Sequence, residues 1–525
     1  MKTILLIRPR STTETFWNLT GLLSLTGKKA VIPPISLATL AALTPEEYRV
    51  IISDEEVEDI DYDMECDLVG ITGFTIHKKR MFDVAREFRS RGRLVVAGGP
   101  FASEHTDECG DHFDVIISGE AERIWGEFLQ DWTRGDYKKI YKDPETVDMA
   151  ITPAPRWDLL DLDDYSGGMV QTSRGCPHDC EFCNVVSLFG RKMRLKPIDH
   201  VISEIKKLTE MGKYDIFISD DNFIGNRRYA RELLAEIIKL KKKLPKTIRF
   251  MTQLTLNVAE EEDLLDLLTE ANFYCFFIGI ETPNKDSLNS INKGHNAKLD
   301  LLSSIKKIHS RGIFIISGMI VGIDSDDSGI FDAQLDFLSK AGLTLPMLGM
   351  LIALKGTRLW NRLESEGRLL ADLEAGDMFA VTNVIPKLMG KEELEREYKI
   401  LLKRVYSPEE FLIRFQNLIE QIDVKRAWKL SPLLEQLKPV NFQLYYALTT
   451  FRVLSHYLFN KDRDIRIMFR KAMKIVFKKG RISFPWLIEH FLYFKALNDF
   501  VSGLEIDETD DSLLEMEIRE KVLVP

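Results

Sequence analysis

The sequence predicts an α/β protein: a doubly wound parallel-sheet domain, then a barrel-like series of strand–helix units, then a mainly helical region. Three observations carry this reading. Short continuous apolar runs alternate with amphipathic segments through residues 1–140 and again through 166–390. Glycines gather where the apolar runs end. After about residue 390 the strand-like runs fade and helical periodicity takes over. At 525 residues the chain is also too long for one ordinary domain.

In the first unit, residues 1–140, the strands are expected at 3–9, 48–54, 67–73, 94–100 and 114–120. Each run is continuous rather than alternating, as in parallel strands buried on both faces, and segments such as "KKRMFDVAREFRSRG" supply the intervening helices. A ligand of such a domain sits at the C-terminal strand ends. Those ends read "GITGFT", "AGGP" and "SGEAE", glycine-rich turns that let backbone approach a large flat or anionic group.

A proline- and acid-rich linker, 141–165, separates this unit from the second. There the strands are expected at 168–175, 214–223, 248–255, 273–281, 314–322 and 345–354, alternating with helical patterns such as "YARELLAEIIKLKKKL". Parallel units of this kind close into barrel-like sheets whose chemistry lies at the strand C-termini. Residues 391–525 follow as the helical domain, ending in the acidic stretch "EIDETDDSLLEMEIRE".

Composition narrows the function classes. Hydrophobic content of 45% and charged content of 29% are globular values. The net charge of −10 argues against a nucleic-acid partner. No run approaches the roughly 18–20 apolar residues of a membrane span. The opening "MKTILLIRPR" has too short an apolar core for a signal peptide, so a cytoplasmic location is expected. Residues 461–481 run against the acidic balance, with Ile465, Met468, Phe469, Ala472 and Val476 on one helical face and Arg466, Arg470, Lys474 and Lys478 elsewhere. Two readings follow: a core-packing helix with a solvated basic face, or a helix in peripheral contact with the anionic inner face of a membrane, which would give the domain a substrate or membrane-surface role.

Of the six cysteines, only Cys176, Cys180 and Cys183 cluster, within "SRGCPHDCEFCNVVS". In a long chain of a reducing compartment this signals a metal or redox site rather than a disulfide. A structural zinc site needs four ligands, usually two separated pairs; His178 could complete one here. A [4Fe–4S] cluster normally takes four thiolates, and one held by three leaves an iron open to a substrate or cofactor.

The loop "CPHDCEFC" resembles the cluster loop of radical S-adenosylmethionine (SAM) enzymes, Cys-x₃-Cys-x-aromatic-Cys. The resemblance implies a partial (β/α)6 TIM-like barrel, a [4Fe–4S] cluster on Cys176, Cys180 and Cys183, and SAM on the open iron, with Phe182 against the adenine. It also implies SAM contacts from Asp220, Asp221 and Asn222 in "SDDNF", Glu281 in "GIETP" and Ser317 in "SGMIVG". In "ALKGTRLW" Lys355 stands where the family pattern has proline. The N-terminal strand ends resemble the Rossmann-like cobalamin-binding domain of the largest subgroup, which places Thr72, Gly73, Phe74, Thr75, Gly98, Gly99, Gly119 and Glu120 around the corrin. The Asp-x-His-x-x-Gly motif of many such domains is absent, and His77, His105 and His112 lack its context, so cobalt is expected to have no histidine ligand from that motif and its lower axial ligand stays open.

The run "FWNLTGLLSLTGKKAVIPPISLATLAALTPEEYRV" and the helical C-terminal region resemble the hopanoid C-2 methylase group. The resemblance implies a methyltransferase acting on an unactivated carbon of a lipid-like or other small molecule through a 5′-deoxyadenosyl radical and methylcobalamin. It implies a one-electron reductant such as flavodoxin or ferredoxin. Two alternatives stay open: cyclisation or rearrangement without methyl transfer, and a non-catalytic cobalamin- or metal-binding regulator. No residue is singled out as catalytic.

Overall fold

The computed structural model of the chain describes residues 1–11, 20–370, 382–427, 440–480, 482 and 484–503. The acidic C-terminal stretch lies outside the described residues. Strands β1 (Thr3–Arg8), β2 (Arg49–Asp54), β3 (Leu68–Thr72), β4 (Leu94–Gly98), β5 (Val115–Ser118) and β6 (Ile140–Lys142) form an all-parallel sheet in the order β2-β1-β3-β4-β5-β6. The apolar run Ile4–Ile7 is fully buried because β1 lies inside this sheet. Strand β6 went unread in the sequence: it has three residues, only the middle one buried, and it straddles the expected domain boundary. The order reverses direction between β1 and β3, which makes the crevice beside Thr72 and Gly73 the natural ligand position.

Strands β7 (Gly168–Val170), β10 (Asp215–Ile218), β11 (Arg249–Gln253), β12 (Phe273–Glu281), β13 (Phe314–Val321) and β14 (Leu345–Met350) form the second parallel sheet, ordered β14-β13-β12-β11-β10-β7. The expected first strand, 168–175, is broken in two. After β7 the chain leaves the ladder, and β8 (Ser173–Arg174) pairs antiparallel with β9 (Arg194–Leu195). The cause is a side chain from the end of the neighbouring strand: the backbone N–H groups of Thr172 and Ser173 donate to the Asp220 carboxylate and are lost to the ladder.

Part of the helical region packs beneath this sheet, at the strand starts. Arg249, first in β11, pairs with Glu489 at 2.6 Å, and Phe314, first in β13, meets the His490 ring edge-on at 4.8 Å between centroids. The helix Phe484–Ser502 thus covers the strand starts, while Leu394 of the helix Lys391–Val405 packs against Gly322 at the C-terminal end of β13. In the helix Arg463–Lys479, Ile465, Met468, Phe469, Ala472 and Val476 are all buried, and Phe469 stacks on Tyr457 at 5.1 Å. That apolar stripe is core, so it is not the surface that would meet a membrane. No described helix is long and apolar enough to cross one.

Candidate active site

The cysteine loop is built by its neighbours on both sides. Gly175 enters it at φ +92, and a Cβ there would lie 2.8 Å from the Lys192 carbonyl and 3.0 Å from that of Gly190, so only glycine fits. Its N–H donates to Asp221 at 2.8 Å. Asp220 is completely buried and accepts from Thr172 N (2.7 Å), Ser173 N (3.0 Å), Ser173 Oγ (2.7 Å) and Thr172 Oγ1. Four donors fill its oxygens, which corrects its assignment to a cofactor amino group: Asp220 pins the strand break that launches the loop. Asp221 is likewise engaged, and burial pushes its carboxyl up to about 6 against the Gly175 donor.

On the other side, Glu181 N donates to Ile291 O at 2.9 Å and Asn292 Nδ2 to Asp179 O at 2.7 Å. Arg358 donates to Asp179 O at 2.7 Å, and Arg362 Nε to Glu181 Oε1 at 2.6 Å. These four residues were missed by sequence reasoning, since no periodicity marks a loop-clamping side chain.

The three thiols are half-buried. Burial raises each thiol, that of Cys183 up to about 12. Among the described residues, no group of three or more His, Cys, Asp and Glu is arranged to hold a metal ion. A cubane binds each thiolate through a different iron, so its three ligands need not converge on one point. His178, the residue that could have completed a zinc site, stacks on His295 at 3.9 Å.

Two of the residues assigned to SAM carry buried polar atoms that the protein leaves unsatisfied. Asn222 is 1% exposed; its Nδ2 sits 4.0 Å from Cys176 Sγ and 3.5 Å from Thr255 Oγ1, and its Oδ1 has no partner among the described residues. Ser317 Oγ is fully buried and equally unpartnered. Buried polar atoms are rarely left this way without a bound group, so Asn222, against Cys176, fits a polar cofactor beside the thiols. Ser317 alternates along β13 with Gly318, whose Cβ position meets Phe277 and Glu281, so its hydroxyl lies on the opposite face of the strand. A cavity of about 380 Å³ opens next to Asn222, lined also by Pro177, His178, Asn226, Arg227 and Asn257. Phe182 packs against the small buried cluster of Leu351, Ala353, Leu359, Leu363 and Val384. Glu281 does not reach out freely: it is buried in an ion pair with Lys293, another residue absent from the sequence reading.

At the ends of the first sheet the expected corrin contacts divide. Gly98 and Gly119 face open space where a Cβ would project, Gly99 and Gly119 adopt φ of +86 and +91, and Phe74 is 61% exposed. A Cβ on Gly99 would run into Thr72 Oγ1, so these two residues are packed against each other. Gly73 and Thr75 flank the same turn, with Gly73 buried. The open glycine ends and exposed aromatic fit a broad, flat macrocycle. Glu120 does not belong to that cradle: its carboxylate is taken by Arg174 (2.7 Å) and Arg194 (2.5 Å) of the β8–β9 pair that flanks the cysteine loop and by Val147 N (3.1 Å). The histidines are occupied locally. His77 Nδ1 accepts from Phe74 N at 3.0 Å and burial holds its ring down to about 4, His105 contacts Glu108 at 2.6 Å, and His112 stacks on Phe82 at 3.9 Å.

The C-terminal ends of the two sheets thus face each other. Besides the Glu120 pairs, Asn184 Nδ2 donates to Glu104 at 3.2 Å, and Lys355 pairs with Asp107 at 2.9 Å. Both Asn184, next to Cys183, and Lys355, in the proline position of the family pattern, reach the helical turns that follow β4.

A three-thiol loop at the end of the first barrel strand, set against a second glycine-rich sheet, defines a radical SAM enzyme with an added cofactor domain. Comparison with known proteins agrees. The Radical SAM superfamily model matches residues 170–337, and a model described only as a domain of unknown function matches 357–501. The chain is 32% identical over 525 residues to an uncharacterized methyltransferase of Synechocystis, covering 95% of each. It is 31% identical over 413 residues to the hopanoid C-2 methylase of Rhodopseudomonas palustris, covering 77% of this chain and 76% of that one. The fold is shared with the radical SAM methyltransferase TsrM of Kitasatospora setae, solved with cobalamin and a [4Fe–4S] cluster bound: TM-score 0.61, 15% identity, 90% of this chain and 99% of that one. The chain belongs to the radical SAM enzyme family, as one of its methyltransferases, with a [4Fe–4S] cluster and SAM as cofactors and a small molecule as substrate, and it shares the fold of a cobalamin-bound member.

Proposed function

We propose that this enzyme places a methyl group on an unactivated carbon of an apolar, lipid-like small molecule. The observation that carries the reading is the apposition of the two sheet ends, which sets the open glycine turns of Gly98 and Gly119 opposite the cysteine loop. When bound, the cluster and SAM supply hydrogen abstraction after one-electron cleavage of SAM, and cobalamin supplies the methyl group. The protein's part is to hold these groups around one substrate carbon and to keep water out.

On this reading Cys176, Cys180 and Cys183 hold three corners of the cluster. Asn222 offers its unsatisfied oxygen to SAM, and Phe182 flanks the adenine. Gly73, Phe74, Thr75, Gly98, Gly99 and Gly119 form the corrin cradle, while Thr72 buttresses Gly99. Residues 1–140 serve as the cobalamin domain, 141–165 as the linker, 166–390 as the radical SAM barrel and 391–525 as a helical domain. A flavodoxin- or ferredoxin-type protein delivers the electron. The likeness to the hopanoid methylase supports a lipid-like substrate, and the basic outer face of the helix Arg463–Lys479, where Ile467 and Phe477 are also exposed, supports peripheral contact with an anionic membrane.

Incubation of the reconstituted enzyme with methyl-deuterated SAM and a lipid extract from a strain lacking it tests this. Deuterium in a product one methyl heavier is the expected result. A changed product without deuterium would favour cyclisation or rearrangement and sink the methyl-transfer reading.

A further inference from the structure

The Glu281–Lys293 pair is an arrangement that the fold goes out of its way to build. Glu281 ends β12 at φ +70, a left-handed conformation that is costly for a residue with a Cβ, and the β12–β13 register shifts between Gly279 and Glu281. Gln334 Nε2 donates to the Glu281 carbonyl at 3.1 Å and Asn296 Nδ2 to that of Gly279 at 3.1 Å, which fixes the bulge. A Cβ on Gly279 would overlap both Glu281 Oε1 and Lys293 Nζ, so glycine at 279 leaves the room in which the two charged ends meet. Lys293 is 6% exposed. Its Nζ lies 5.9 Å from the centre of the ring of Phe182, the residue that precedes Cys183 in the loop, and its charge opposes the effect of burial on all three thiols. The neighbouring residues Ile291 and Asn292 bind the backbone of Glu181 and Asp179 on either side of Cys180.

We infer that Lys293 is a positioning residue for the cluster, a buried ammonium held by Glu281 against the Cys180–Cys183 side of the loop, where its positive charge favours uptake of one electron. The inference rests on the three cysteines holding a cluster. A cluster with three thiolates gains negative charge when a low-potential reductant protein donates its electron. A fixed cation in a poorly solvated position stabilises that added charge, whereas the same charge in water would be screened. Glu281 opposes this effect in part while it keeps the ammonium in place.

The test is a potentiometric titration of the reconstituted holoenzyme, read by the EPR signal of the reduced cluster. Lys293→Met is expected to lower the reduced-to-oxidised ratio at a fixed potential about tenfold, a midpoint about 59 mV more negative. Glu281→Gln is expected to move the midpoint the other way, and Lys293→Arg to stay near wild type. An unchanged or raised midpoint in Lys293→Met at wild-type iron content would overturn the inference. If that variant takes up no iron, Glu281→Gln decides, and an unmoved midpoint there overturns it. Failure of the wild-type protein to bind a cluster at all would instead defeat the reading of the cysteine loop.

Discussion

Arg174, two residues before Cys176, lies 2.7 Å from Glu120 at the end of β5, and both side chains are almost fully buried. Arg194 shares the same carboxylate, and Arg174 also meets Glu122 at 2.7 Å. Removing Glu120 leaves two buried guanidinium groups short of a partner, so Glu120→Ala is expected to cost about 3 kcal/mol or more in denaturant unfolding. Burial alone would raise the Glu120 carboxyl, but Arg174 and Arg194 more than offset it and hold it below its usual range. Its contribution is therefore present above the unfolded value near 4.5 and is lost as the pH falls through the lower folded value. The gap in melting temperature between wild type and Glu120→Gln should close on acidification. A gap that widened toward low pH would contradict the ion-pair account.

Because each thiol occupies its own corner of the site, Cys176→Ala, Cys180→Ala and Cys183→Ala are each expected to abolish 5′-deoxyadenosine formation. Cobalamin uptake, which the proposed cradle assigns to the ends of the first sheet, should persist. Parallel assays of iron content, 5′-deoxyadenosine and bound cobalamin check this, and loss of cobalamin in all three would show that the two cofactor sites are not separable.

Asp220 and Asn222 are two residues apart but do different work. Asp220 satisfies four donors at the strand break, so Asp220→Ala is expected to lose about 3 kcal/mol or more of stability. Asn222 carries an unsatisfied buried oxygen, so Asn222→Ala should leave the melting temperature within a few degrees of wild type while weakening SAM binding by about tenfold. Calorimetric unfolding and SAM titration of the two variants should therefore separate cleanly.

Arg470, Lys474 and Lys478 lie exposed on the helix Arg463–Lys479. At about 1 kcal/mol per basic residue near an anionic surface, reversing all three to Glu is expected to reduce co-sedimentation with phosphatidylserine vesicles by about tenfold or more. Binding to neutral phosphatidylcholine vesicles should be unaffected. Equal retention on the anionic vesicles would remove this face as the contact.

Much of the fold was legible because parallel strands are long apolar runs: Ile4–Ile7 and Phe273–Glu281 could hardly be anything else. The cysteine loop was legible because thiol spacing is a chemical pattern carried by the sequence itself. What stayed hidden were partnerships set by distant segments. Asp220 looked like a ligand-facing acid, yet Thr172 and Ser173, far away in sequence, consume it. Glu120 looked like a cradle residue, yet Arg174 and Arg194 claim it. Lys293 carried no signal at all, because a lysine in "NKGH" reads as a solvated turn until the fold buries it beside Glu281. The basic helix was ambiguous for a related reason: an apolar stripe looks the same whether another helix or a membrane covers it.

Glu104 gives a final, pH-dependent test of the seam between the sheets. It ends the helical turn after β4, accepts from Asn184 Nδ2 at 3.2 Å, and has its other oxygen buried without a partner among the described residues. Burial is the largest influence on it and raises its carboxyl to about 7, against the smaller pull of Asn184 and Ser187. With the folded value above the unfolded one, the stability it contributes is full below about 4.5 and is lost as the pH rises through about 7, where the buried group must ionise. Glu104→Gln keeps the shape and the acceptor without the charge. It should therefore match wild type in melting temperature near pH 5 and exceed it at pH 8, with most of the change falling between those values. A variant less stable than wild type at pH 8 would mean that the ionised carboxylate is stabilised at this seam and that the burial account is wrong.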